Sequence, residues 1–199
     1  MGSVIVITSG KGGTGKTSLT GGAGASLALL GKQVLCLDGD VGLRNLDITL
    51  GMTDAALMDF SDVMAGRCDL SRAAVPHPTV SGLHLLTAPL TLPGDFPGEA
   101  GFQALLQQAR EAYDYVLIDS PAGLGPGFRL AVCGADRAIV VAVSDPSSLR
   151  DAQRVVTQLS QLETIHLVVN RVQPKLLRRL HTTIDDAMDT AGLPLLGIV

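Results

Sequence analysis

Residues Val4-Ile5-Val6-Ile7-Thr8-Ser9-Gly10-Lys11-Gly12-Gly13-Thr14-Gly15-Lys16-Thr17 pass from an apolar run into a glycine-rich segment that fits G-x-x-x-x-G-K-[ST] from Gly10 to Thr17. From average residue usage, the four fixed positions coincide by chance roughly once in 10⁴ to 10⁵ positions. The match also has the context the motif requires, with a β-branched run before it and helical spacing after it. Glycines let successive backbone N–H groups turn inward around a phosphate, and the start of the following helix adds the positive end of its dipole. In this motif Lys16 neutralises the β/γ-phosphates and the Thr17 hydroxyl faces Mg²⁺. Lys11 occupies a position where the general motif accepts any residue, so the loop does not need it for its own phosphates.

Outward from this loop, short β-branched runs at 3–8, 33–38, 83–87, 115–119, 138–143, 165–169 and 194–198 predict strands. Apolar residues recur at helical spacing between them: Leu19, Ala23, Ser26, Leu27 and Leu30, then Leu149, Ala152, Val155, Val156, Leu159 and Leu162. Segments 52–66 and 97–111 also read as helices, and 88–98, with three prolines and two glycines, reads as a surface loop. The alternation predicts an α/β fold of the P-loop type, a mostly parallel sheet with helices on both faces. No composition break, repeat or low-complexity tract divides the 199 residues, so residues 1–199 read as a single domain.

Composition narrows the function. A hydrophobic content of 46% against 17% charged residues excludes general disorder. Net charge is −4 with no run of five like charges, which argues against a dedicated nucleic-acid binder. The three cysteines, Cys36, Cys68 and Cys133, have neither disulfide nor zinc spacing. No apolar stretch reaches the ~18 residues of a membrane span, and the N-terminal run is too short for a signal peptide, so the expectation is a cytoplasmic protein. Segment 175–184, with Lys175, Arg178, Arg179 and His181 among Leu176, Leu177, Leu180 and Ile184, is basic and amphipathic and reads as an ordinary surface helix.

Carboxylates mark two predicted strand ends. Asp119 follows Tyr115-Val116-Leu117-Ile118, placed like an aspartate that holds Mg²⁺ at the edge of a nucleotide-binding sheet. Asp38 and Asp40 end the second strand beside Gly39 and Gly42, and either one could orient an attacking water; the residues alone do not choose between them.

Three separated motifs together resemble one family. Ser9 to Thr17 resembles the deviant Walker A of the MinD/ParA ATPases, whose mark is the additional lysine at the position of Lys11. The stretch Asp38-Gly39-Asp40-Val41-Gly42-Leu43-Arg44-Asn45-Leu46-Asp47 is similar to the first switch of the MinD branch, and Asp119-Ser120-Pro121-Ala122-Gly123 to its second. Weaker agreement at Ser148-Leu149-Arg150-Asp151, Val169-Asn170-Arg171 and Leu196-Gly197-Ile198-Val199 extends the resemblance over essentially the whole chain.

The resemblance implies an ATPase with ATP/ADP and Mg²⁺ as cofactors, acting in the choice of the division site. Gly10, Lys11, Gly12, Gly13, Thr14, Gly15, Lys16, Thr17 and Ser18 would bind the nucleotide, with Asn170, followed by Arg171, at the adenine. Lys11, Lys16 and Asp40 would be catalytic: Lys11 would reach across an ATP-sandwiched homodimer, and Asp40 would position the water. Thr17, Asp38 and Asp119 would serve Mg²⁺, the two aspartates through water. It further implies activator and inhibitor proteins of the Min type. Family members also carry a segment past the position of Val199 that ends in a membrane-targeting helix at the inner-membrane surface. Two departures, Thr14 for the commoner valine and Ser18 for the commoner threonine, fall in a loop whose ligands are mainly backbone groups. The alternatives are a partition ATPase with nucleotide-gated DNA binding, a flagellar-placement ATPase, an iron–sulfur electron-transfer ATPase and a non-hydrolysing scaffold. The acidic balance and residues 42–47 count against the first, and the cysteine spacing against the third.

Overall fold

The computed structural model describes every residue of the chain except His181, so that part of the basic segment at 175–184 lies outside the described residues. In chain order the elements are β1 (Ser3–Thr8), α1 (Lys16–Leu29), β2 (Val34–Asp38), α2 (Leu46–Thr49), α3 (Phe60–Met64), α4 (Leu70–Ala73), β3 (Val75–Pro76), β4 (Leu83–Leu86), α5 (Gly98–Ala112), β5 (Tyr115–Asp119), α6 (Pro126–Val132), β6 (Arg137–Val143), α7 (Pro146–Thr157), β7 (Thr164–Asn170), α8 (Pro174–Leu180), α9 (Ile184–Ala191) and β8 (Leu195–Ile198). They build one sheet in the order β3-β4-β2-β5-β1-β6-β7-β8. Among the described residues only the β3–β4 pair is antiparallel. No helix among the described residues is long and apolar enough to cross a membrane.

All seven expected strands form, each within about one residue of its expected ends, because both faces of the sheet are covered. Alternate strand residues feed two cores. Val4, Val6, Leu35, Leu37, Val116 and Ile118 pack with Phe60, Phe102, Phe128 and Leu149 on one face. Ile7, Val34, Cys36 and Leu117 pack with Ala28, Leu46 and Leu50 on the other. Phe60 and Phe102 meet edge to face with ring centroids 5.5 Å apart, which fastens α3 to α5.

Helix α1 lies unusually near the sheet, and Gly24 is the reason: a Cβ there would fall 2.4 Å from Cys36 Sγ and 3.3 Å from Leu83 Cδ1. The helix-propensity cost of that glycine, up to ~1 kcal/mol relative to alanine, is offset by close packing directly behind the phosphate loop.

The expected helix at 52–66 is corrected. Only Phe60–Met64 is helical, because Gly51 and Asp54 adopt left-handed φ values of 66° and 61° that interrupt any continuous helix upstream. Asp59 then starts α3 with a capping box: its Oδ1 accepts from Ser61 N at 2.8 Å, and Asp62 Oδ2 accepts from Asp59 N at 3.0 Å. Segment 175–184 is likewise not one helix. Thr183 caps a new one, accepting from Asp186 N at 3.1 Å and donating its own N–H to Asp186 Oδ2 at 2.7 Å. Helix α6 was not among the expected helices; Pro126 occupies its first turn, where a missing N–H costs nothing.

The sheet order sets the site. From β1 the chain moves to one side through β2 and β4, returns to β5, then crosses β1 to β6. The carboxyl end of β1 is therefore a topological switch point, where ligands of open α/β sheets bind.

Candidate functional site

Parallel register brings the predicted residues to this edge. Asp38 and Asp119 are direct partners on β2 and β5, and Asp119 pairs with Ile7, two residues before Ser9. The loop between β1 and α1 turns on Gly13 and Gly15, with φ values of 77° and 93°. Gly15 is the N-cap of α1, no side chain caps that end, and the first turn holds no acid. The leading N–H groups of a fourteen-residue helix thus point, with their dipole, toward an anion. The loop is anchored locally by Ser9 Oγ donating to Lys11 O at 2.7 Å, and Gly123 N, in the second expected switch, donates to Ser9 O at 3.3 Å.

Lys16 is 8% exposed. Burial lowers its pKa, while the charges of Asp119 and Asp40 pull the other way. Among the described residues its amine has no ion-pair partner within 4 Å, so it is left to meet a ligand's negative charge. Asp119 is 2% exposed, and burial pushes its pKa up to about 7 against the hydrogen-bonding pull of the Thr17 hydroxyl, with Asp38 pushing it further up and Lys16 opposing. Thr20, one turn beyond Lys16, donates to Asp119 Oδ1 at 3.4 Å; sequence reasoning passed over it, although its helical spacing from Lys16 was a usable signal.

Asp38 is also raised by burial, opposed by the backbone groups it holds. Its Oδ1 accepts from Asp40 N at 2.9 Å and its Oδ2 from Leu46 N at 3.1 Å, so this carboxylate folds the 39–46 segment around itself. Asp40 is partly exposed and close enough to Lys16 to feel its charge; burial raises its pKa and Lys16 lowers it.

Among the described residues no group of three or more His, Cys, Asp or Glu side chains forms a metal cage. Thr17, Asp119 and the adjacent Asp38 instead suit Mg²⁺, a cation that keeps waters and takes further oxygens from a nucleotide.

Two expected residues are already engaged by partners within the protein. Lys11 Nζ donates to Asp145 Oδ2 at 2.9 Å, Asp145 Oδ1 at 3.2 Å and Ser147 Oγ at 3.1 Å. Burial works against ionised Asp145, but bonds from Ser147, Lys11 and Ser148 N bring its pKa down to about 2. Asp145 before Pro146, with Ser148 three residues on, was legible as a helix start; its partnership with Lys11, across 134 positions, was not. Asn170 closes β7 and donates from Nδ2 to Thr14 O at 2.8 Å. Ser18 and Arg171 are exposed at the rim.

The Asp119 pKa carries a testable consequence for the protein free of nucleotide and Mg²⁺. Between about pH 4 and pH 7 the folded chain holds a proton that the unfolded chain has released, so stability falls as pH rises through that window. The contribution is fully present below about pH 4 and gone once pH passes about 7. Asp119→Asn should flatten this fall in thermal midpoint; equal slopes for wild type and variant would contradict the assignment.

The chain is similar to known proteins over essentially its whole length. A family model described as an AAA domain matches residues 2–176. The septum site-determining protein MinD of Bacillus subtilis is 41% identical over 204 residues, covering all of this chain and 76% of that protein. Among solved structures, the MinC:MinD cell division protein complex of Aquifex aeolicus superposes with a TM-score of 0.90 at 38% identity, over 99% of this chain and 80% of that one. The septum site-determining protein MinD complexed with Mg-ADP from Pyrococcus horikoshii OT3 gives 0.84 at 29% identity, over 100% of this chain and 81% of that one.

Proposed function

Since the chain belongs to the MinD/ParA family of deviant Walker A ATPases, we propose that it is a Mg-ATP-dependent, dimerising ATPase that regulates the choice of the cell-division site. Lys16 and the N–H groups of residues 10–18 bind the phosphates. Thr17 and Asp119, with Asp38 beside Asp119, would hold Mg²⁺, which would supply positive charge against the phosphates. Asp40, on a segment tethered by Asp38, orients the attacking water toward the γ-phosphate. Asn170, with Arg171 beside it, stands at the base. Partners of the Min type fit this reading, as in the complex of the Aquifex relative with MinC.

The observation that carries the dimer is the placement of Lys11. It rests on Asp145 and Ser147 in a partly exposed ion pair. Pairs of this kind are worth about 0–1 kcal/mol, so Lys11 can leave for the stronger charge of a triphosphate held by a second copy. A cation supplied in trans to a transferring phosphoryl group is worth ~10³–10⁵ in rate.

Light scattering tests the reading. Wild type should double in mass with Mg-ATP and not with Mg-ADP, whereas Lys11→Ala should bind ATP and stay monomeric. Equal masses for wild type in both nucleotides would rule out the nucleotide-gated dimer.

A further inference from the structure

Asn170 touches the phosphate loop itself. It ends β7, which is separated from β1 in the sheet by β6, and its side chain meets the loop that follows β1. Nδ2 donates to Thr14 O at 2.8 Å, while Oδ1 accepts from Arg171 N at 2.8 Å. The second bond ties the Asn170 side chain to the backbone directly after it and so holds the amide in place. Around the other end the fit is tight. A Cβ on Gly15 would lie 2.1 Å from Asn170 Nδ2, so glycine is needed at 15 for this contact as well as for its φ of 93°. Thr14 is 1% exposed and its hydroxyl has no partner among the described residues, so its carbonyl, not its side chain, provides the connection.

Pinning that carbonyl has a geometric effect. In a planar trans peptide the C=O of one residue and the N–H of the next point in opposite directions, and the chain has no cis peptide bond among the described residues. Holding Thr14 O toward Asn170 therefore turns Gly15 N–H the other way, immediately before Lys16. We propose that Asn170 is a positioning residue for phosphate recognition: it locks the Thr14–Gly15 peptide so that Gly15 N–H and Lys16 face the phosphates before nucleotide arrives. This rests on the ATPase reading and adds to the base contact assigned to Asn170 a role that needs no base.

A base-free ligand separates the two roles. Binding of Mg-tripolyphosphate and of Mg-ATP is measured by calorimetry for wild type, Asn170→Ala and Asn170→Asp. The second variant keeps the acceptor for Arg171 N but sets a charged oxygen against Thr14 O, whereas Asn170→Ala removes the donor without adding charge. Both variants should lose tripolyphosphate affinity by about 3- to 10-fold, the range expected for one hydrogen bond, with wild-type circular dichroism. Tripolyphosphate affinity unchanged in Asn170→Asp while ATP affinity falls would overturn the proposal and leave Asn170 a base contact alone. A fall in thermal midpoint with unchanged tripolyphosphate affinity would overturn it equally. Failure of wild type to bind ATP would instead refute the ATPase reading beneath it.

Discussion

Alanine in place of Lys16 is expected to lower ATP hydrolysis by about 10³-fold or more, with loss of measurable ATP binding. The side chain is almost wholly buried where the end of β1 meets α1, and burial already disfavours its charge; the fields of Asp119 and Asp40 oppose that loss. Its removal takes a buried cation from beside two partnered strand-end carboxylates, Asp38 and Asp119, which are register neighbours already raised by burial. Phosphates entering such a site would meet negative charge with only backbone N–H groups to offset it. Lys11 does not replace it, because at rest it is paired with Asp145 and Ser147 and on the proposed reading it serves the triphosphate of a second copy. Phosphate release and fluorescent-nucleotide titration check both effects; hydrolysis within tenfold of wild type would remove Lys16 from the centre of the site.

Asp40→Ala should behave differently: hydrolysis falls by ~10²–10⁴-fold, the usual share of a positioned base, while ATP binding and the ATP dimer remain. The structure separates the two jobs of this segment. Its shape depends on the backbone of Asp40, whose N–H donates to Asp38 Oδ1 at 2.9 Å and whose carbonyl accepts from Leu43 N and Arg44 N at 3.3 Å each. Alanine keeps all three bonds and loses only the carboxylate near Lys16. Accumulation of an ATP-bound dimer with little phosphate release is therefore the expected signature in size-exclusion and turnover assays. Loss of the dimer along with turnover would show that the carboxylate serves assembly and not water.

Much of this site could be read from residues in a row. The phosphate loop was legible because its function is spelled by consecutive positions, glycines that permit φ values of 77° and 93° and a lysine one residue inside the helix. The segments 38–47 and 119–123 stood out for the same reason, each a run of consecutive residues at a strand end. The seven strands were legible because burial on both faces demands uninterrupted apolar runs. Periodicity failed at 52–66, where left-handed Gly51 and Asp54 and the Asp59 cap override the spacing, and it missed α6, whose first turn holds Pro126.

What a residue touches was another matter. By itself the sequence determined an α/β chain with a nucleotide loop and carboxylates at two strand ends. Tertiary structure alone decided that β5 enters between β2 and β1, making Asp38 and Asp119 neighbours, and that Lys11 rests on Asp145 and Asn170 on Thr14. The reason is physical: strand order is set by which helix faces bury best against which strands, a property of the whole packed sheet. Alternating strands and helices are compatible with several such orders, and contacts across more than a hundred residues exist in only one of them.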